Sequence, residues 1–285
     1  MYTAQTLVKE SVQLISLPEV YIRLRKVIDA PDSSMADVAE VIAIDPSITA
    51  RLLKLVNSSF FGLVVKVDTI THAINLLGIQ EVEDLVLATS VIDSFSGFTN
   101  DYFNIYDFWF NGIYCAVTAR LLAYYCKGME TERPFVAGLL HNIGHLVCYQ
   151  IIPEESRSAI EIAAQKNISL FRAERELLGF DYGQVGAELM REWTLPKSLQ
   201  EITEFHIEPE KASEFQLETA IIHIASAITQ NVLAQIPISP DTLEVNPVCW
   251  QITGLSVEDM PDIKIEADEQ AAMVMNMLFS HKKSA

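Results

Sequence analysis

Hydrophobic and polar positions repeat with the spacing of amphipathic helices along nearly the whole chain. Ile48, Leu52, Leu55 and Val56 fall at i, i+4, i+7 and i+8, a single apolar stripe on a helix. Asp45-Pro46 opens that helix, since Asp accepts from the free N–H groups of a first turn and Pro suits the first helical position. Ser34 followed by Asp37 is a capping-box start for the helix before it. Ile70, Ala73, Ile74 and Leu77 keep the spacing up to Gly78, which supplies the stop. Val82, Leu85, Val86 and Thr89 continue it in a helix that ends before Gly97. Longer helices are expected from about Ile105 to Lys127, and from Glu132 to Ile152 with Pro153 as the stop. Further helical stretches follow near 154–166, 170–178, 182–193, 197–206, 216–234 and 265–280. Leu63–Val67 is the one β-like run, and Ile236–Lys264 the least regular region. The pattern predicts an all-α, compact multi-helical fold.

Composition narrows what such a fold can meet. The 285 residues are 50% hydrophobic, too apolar for a disordered chain. A formal net charge of −18 repels phosphate backbones and anionic surfaces, so neither nucleic acid nor membrane is expected as a partner. The one basic cluster, Arg23-Leu24-Arg25-Lys26, reads as a solvated helix face. No apolar run approaches the ~18 residues of a spanning helix, and Met1–Ile15 lacks the pattern of a secretory signal. The four cysteines, Cys115, Cys126, Cys148 and Cys249, form no C-x-x-C pair, which speaks for a reducing, cytoplasmic setting over a disulfide framework or a structural zinc site.

Common catalytic signatures are absent: no G-x-G-x-x-G, P-loop, G-x-S-x-G or H-E-x-x-H occurs. What remains is His141, His145 and Cys148, spaced as a stripe on the expected 132–152 helix. The outer two would lie about 10 Å apart along such a helix, too far to share one metal. His141 and His145 could share one with ligands from elsewhere, or could be two hydrogen-bonded histidines in a buried seam.

The segment Ala137-Gly138-Leu139-Leu140-His141-Asn142-Ile143-Gly144-His145-Leu146 resembles the corresponding stretch of HD-superfamily proteins. Asp45 through Ser58 with Phe60-Phe61-Gly62, then Ala73-Ile74-Asn75-Leu76-Leu77-Gly78, and Trp193-Thr194-Leu195-Pro196 with His206 and Pro209, narrow the resemblance to the HD-related output domain (HDOD) family over roughly 14–210. The resemblance implies an N-terminal helical lobe (about 1–98) packed on an HD-like lobe (about 99–210), with 211–285 as a helical extension packed on the latter. Active HD phosphohydrolases hold metal with a His, a His-Asp pair and a distant Asp. By resemblance these fall on Asn111, His141, Asn142 and Ser226, so both carboxylates are lost and only His141 survives. Hard cations are held mainly by anionic oxygen, so neither metal nor cofactor is expected, with His145, His206 and His223 as possible residual ligands. Tyr182 and Ile207 stand where related proteins often carry histidine.

HDOD proteins are regarded as regulatory, which implies a non-catalytic signalling module in a bacterial pathway whose partners are other signalling proteins. Two other readings stay open: a residual metal-dependent nucleotide phosphohydrolase, and a nucleotide sensor with Arg120, Arg172 or Arg175 taking the phosphates. His141 is expected to be neutral and hydrogen-bonded. Asn57-Ser58 reads as a helix end and Trp193 as turn packing. The run Glu201, Glu204, Glu208, Glu210, Glu214 and Glu218 is a solvated face or an acidic patch for a basic partner. A mean hydropathy of +0.22 leaves apolar side chains to spare. Phe60, Phe61, Leu63, Phe95 and Phe98 are the candidates for an interaction surface, the other reading being that they plug gaps between helices.

Overall fold

The computed structural model describes residues 2–11, 16–58, 60–95, 103–126 and 132–279; Phe98 lies outside them. Among the described residues there is no β-strand, and the all-α expectation holds. The chain divides into two units, Met1–Ser16 with Phe98–Ile263, and Leu17–Gly97 with Lys264–Ala285. This differs from a division at 98 and 210 in where the two chain ends belong.

The smaller unit contains α2 (Glu19–Ile28), α3 (Met35–Ala43), α4 (Pro46–Val56), α5 (Ile70–Leu77) and α6 (Ile79–Ser94). Local chemistry sets their starts: Ser34 and Asp37 form the capping box, Asp45 accepts from Ser47 and Ile48, and Thr69 accepts from His72. The stripe Ile48, Leu52, Leu55 and Val56 is buried as its spacing requires. Helix α6 packs against the other four and is buried on most sides. Asn57 clamps the loop that follows α4. Its Nδ2 donates to Leu53 O at 2.7 Å and Val67 O at 2.6 Å, and its Oδ1 accepts from Val67 N at 2.7 Å. Leu63–Val67 is therefore a tethered loop and not a strand. Phe60 and Phe95 are buried, 4% and 1% exposed, so plugging describes them and surface display does not. Phe61 and Leu63 are half-buried, and the apolar tip of the loop is Val64 and Val65, both exposed.

The larger unit is built on α7 (Ile105–Tyr125), which packs against α8 (Glu132–Leu140) and α14 (Gln216–Leu233). Gly138 makes that approach possible, since a Cβ there would lie 2.6 Å from the Ala116 Cα. The expected 132–152 helix is broken. Helix α8 stops at Leu140, His141-Asn142-Ile143 form a turn, and α9 (Gly144–Ile151) begins after it. The break lets α9 lie against α12 (Tyr182–Glu192), where a Cβ on Gly144 would collide with the Tyr182 carbonyl and come within 2.6 Å of the Gly186 nitrogen. Also here are α1 (Ala4–Ser11), against α9 and α12, then α10 (Pro153–Lys166), α11 (Leu170–Leu178), α13 (Lys197–Phe205) and α15 (Pro247–Thr253). The last helix, α16 (Met260–Phe279), starts in the larger unit and continues into the smaller. All four cysteines are buried in the larger unit. The short α15 lies inside the region expected to be irregular, capped by Asn246.

Candidate functional site

The turn after α8, the start of α9, the start of α12 and the end of α13 bring four rings together. His141 donates from Nδ1 to Gly138 O at 2.6 Å, and its ring meets His206 edge-on with centroids 5.1 Å apart. His206, the residue that caps the C-terminus of α13, donates from Nδ1 to Thr203 O at 2.8 Å. Its Nε2 therefore carries no proton and accepts from the Tyr182 hydroxyl at 3.2 Å. His145 stacks on Tyr182 at 3.8 Å and, on its other side, lies near-parallel to Tyr149 at 5.5 Å. His223, on α14, donates from Nδ1 to His206 O at 2.6 Å and accepts at Nε2 from Asn246 N at 3.0 Å.

Burial decides the protonation of this group. It lowers the His141 pKa to about 4, against which the Gly138 hydrogen bond works only in part. His145 is lowered to about 3 by burial and by neighbouring His141. His206 is held well below its ordinary value by burial and by His141, and His223 is lowered by burial. All four are neutral imidazoles near pH 7. Beside them Glu174, on α11 and 3% exposed, has its pKa raised to about 8 by burial, although its Oε2 accepts from Tyr182 N at 2.9 Å. Its Oε1 lies 3.6 Å from His145 Nδ1, a nitrogen with no hydrogen bond. Near neutrality this pair is a carboxylic acid facing a neutral imidazole.

A cavity of about 620 Å³ opens on this cluster. His145, Tyr182, His206, His223 and Ser226 are among the residues that line it. Asn111, Asn142 and His141 do not line it. Asn111 is half-buried on α7, and Asn142 is buried with its Oδ1 lacking a donor. The structure thus groups His145, His206, His223 and Ser226, with His141 behind His206. The donor set suits a hard divalent cation poorly, being neutral imidazoles and amides in which His206 and His223 already use both ring nitrogens. Among the described residues no three His, Cys, Asp or Glu side chains converge to hold a metal ion.

None of the arginines considered for phosphate lines the cavity. Arg175 pairs with Asp181 and Glu208, and Arg172 and Arg175 lie over the Phe171 ring at 5.7 and 5.2 Å. The acidic run is largely occupied rather than displayed. Glu201 accepts from the Ser213, Glu214 and Phe215 N–H groups, Glu204 pairs with Arg191, Glu208 with Arg175 and Lys211, and Glu210 accepts from Asn246. Reading the sequence missed Glu174, Tyr149 and Asn246. Glu174 had a signal: it falls on the apolar stripe of Leu170, Ala173 and Leu177, where a carboxylate is out of place.

Known proteins share this architecture. A crystal structure of a Shewanella amazonensis SB2B protein, provisionally named a phosphohydrolase, is 25% identical and covers 95% of this chain and 97% of its own, with a TM-score of 0.73. An HDOD domain protein of unknown function from Geobacter sulfurreducens is 22% identical, with 97% and 98% coverage and a TM-score of 0.74. An uncharacterized protein of Treponema pallidum (strain Nichols) is 25% identical over 201 residues, which is 67% of this chain but only 37% of that protein's length. The HDOD domain model matches residues 14–209, well over half of the sequence, and the chain belongs to the HDOD family.

Proposed function

We propose that this protein is a non-catalytic regulatory module that passes on a signal by binding other proteins. The observation that carries the reading is the state of the imidazole cluster. Burial holds the rings neutral, main-chain carbonyls orient His141, His206 and His223, and Asn142 and Ser226 stand where the family resemblance places the lost carboxylates. A hydroxide-generating metal centre needs an anionic ligand set to hold the cation, and Glu174, the carboxyl group that faces His145, has its pKa raised to about 8 by burial. The partner surface assigned to the smaller unit is the loop tip of Val64 and Val65 with half-buried Phe61 and Leu63.

The test has two arms. Purified protein incubated with Mn²⁺ or Fe²⁺ and nucleoside phosphates should show no turnover, and elemental analysis should find substoichiometric metal. In the second arm, Val64→Ser combined with Val65→Ser should leave the fold intact and remove whatever protein co-purifies with the parent. Turnover abolished by His141→Ala would overturn the reading.

A further inference from the structure

We infer that the cavity of the larger unit is a ligand site for an uncharged planar molecule of one or two rings, and not for a phosphorylated nucleotide. Its volume, about 620 Å³, lies within the range of small-molecule sites. Its lining includes the apolar side chains of Leu170, Phe171, Ile207, Ala227, Ala234 and Ile236. Among them stand polar residues, His145, Tyr182, Ser226 and Gln230 included. An apolar surface with a few fixed polar groups is what holds and orients a flat organic molecule.

Charge selects against phosphate. Among the described residues that line it there is no lysine or arginine, and one acidic side chain, Glu244, which is exposed. A phosphate would bring one to two negative charges to a wall of neutral imidazoles with no cation to receive them, a costly transfer. The cavity does offer neutral hydrogen-bond donors. Ser226 Oγ accepts from Gln230 Nε2 at 3.3 Å, which leaves its own proton to donate. His145 supplies a second polar contact. Its Nδ1 is sealed from solvent, 3.6 Å from Glu174 Oε1, and makes no hydrogen bond. The imidazole is 15% exposed although Nδ1 is not, so the cavity meets the other edge of the ring. His206 and His223 contribute shape alone, because both nitrogens of each are engaged. A ring carbonyl or ring nitrogen taken by the Ser226 hydroxyl, with the outer edge of His145 beside it and its faces against the apolar side chains, matches the inventory.

This inference rests on the non-catalytic reading in one respect, that no cation fills the cavity in solution. The test is saturation-transfer NMR on the full chain. Its probes are uncharged one- and two-ring heterocycles, the nucleosides among them, set against the same nucleosides as 5′-monophosphates. At least one uncharged heterocycle should bind saturably at one site, and adding the phosphate should weaken it by about tenfold or more. Ala227→Trp, a half-buried position on the cavity wall, should abolish binding; Ser226→Val, a milder change, should weaken it if the Trp variant fails to fold. No saturable binding by any uncharged probe, tighter binding of the monophosphates, or binding indifferent to both substitutions would overturn the inference. Conversion of a monophosphate in a parallel Mn²⁺ arm would sink the non-catalytic reading, whereas absence of binding in the metal-free arm sinks this inference alone.

Discussion

In the smaller unit the buried carboxylate of Glu83 meets three donors: the Arg25 guanidinium at 2.7 Å, the Gln80 amide at 3.1 Å and the Tyr21 hydroxyl at 3.2 Å. In the larger unit Glu174 is equally buried and meets one main-chain N–H and an imidazole nitrogen 3.6 Å away that makes no hydrogen bond. The first arrangement matches a charge with donors; the second keeps a proton in place of a charge. The same contrast runs through the histidines, four of which are buried or half-buried in the larger unit and held neutral there. A carboxyl group surrounded by donors holds helices together, whereas one set beside a neutral imidazole at a cavity leaves polar chemistry within reach of a ligand.

Acid should separate the two units most strongly. A buried histidine whose folded pKa lies below its unfolded value of about 6.5 adds stability that is complete above that pH and lost as pH falls toward the folded pKa. His141, His145, His206 and His223 all behave this way, because burial lowers each pKa. Glu174 works in the other direction, since its raised pKa makes stability fall as pH rises from about 4.5 to about 8. The histidines outnumber the carboxyl group, so the net expectation is a loss of roughly a few kcal/mol as pH falls from about 6 to about 4.5. Hydrogen exchange followed by mass spectrometry should show the larger unit opening first; simultaneous loss of protection in both units would break the comparison.

Next in size is Gly144→Ala, which places a methyl group on the Tyr182 carbonyl and must push α9 from α12. We expect about 3–4 kcal/mol of destabilisation in urea titrations, with the larger unit affected; a loss under about 1 kcal/mol would mean the helices can part freely. Asn57→Ala tests the smaller unit. It removes the two hydrogen bonds to Val67 that tether the loop, and one to Leu53 in α4, and should cost about 1–2 kcal/mol, seen as faster amide exchange in that loop with the helices unchanged. The smallest effect is a gain. Thr194 sits at φ 56° between α12 and α13, a left-handed conformation that costs a β-branched residue about 1–2 kcal/mol. Thr194→Gly should raise the denaturation midpoint by the equivalent of about 1 kcal/mol or less, and a decrease would show that the side chain holds the turn.

How much of this was legible depends on whether the signal was local. The Asp45-Pro46 start, the Ser34 box and the stripe of α4 are written within one helix and were read directly. The break at His141 was not, because Leu140 through Ile143 are all buried and keep an unbroken helical pattern. The reason for the break is Gly144 against Tyr182, a contact 38 positions away in the sequence that no periodicity encodes. The aromatic residues in loops misled for a related reason: composition cannot tell that Phe60 and Phe95 point inward while Val64 points out. At the site, residue types were visible, but the tautomers were not. They depend on main-chain carbonyls at Gly138, Thr203 and His206 whose positions only the fold supplies.

The placement of the cysteines has a kinetic consequence. The smaller unit contains no cysteine, and the four in the larger unit are all sealed from solvent, with burial pushing each thiol's pKa above its ordinary value. An alkylating reagent attacks the exposed thiolate, so in the closed state its target is both hidden and protonated. Its rate of uptake therefore counts openings of the larger unit and is blind to those of the smaller. The chain carries an intrinsic clock for one of its two halves, and anything that settles in the cavity should slow it.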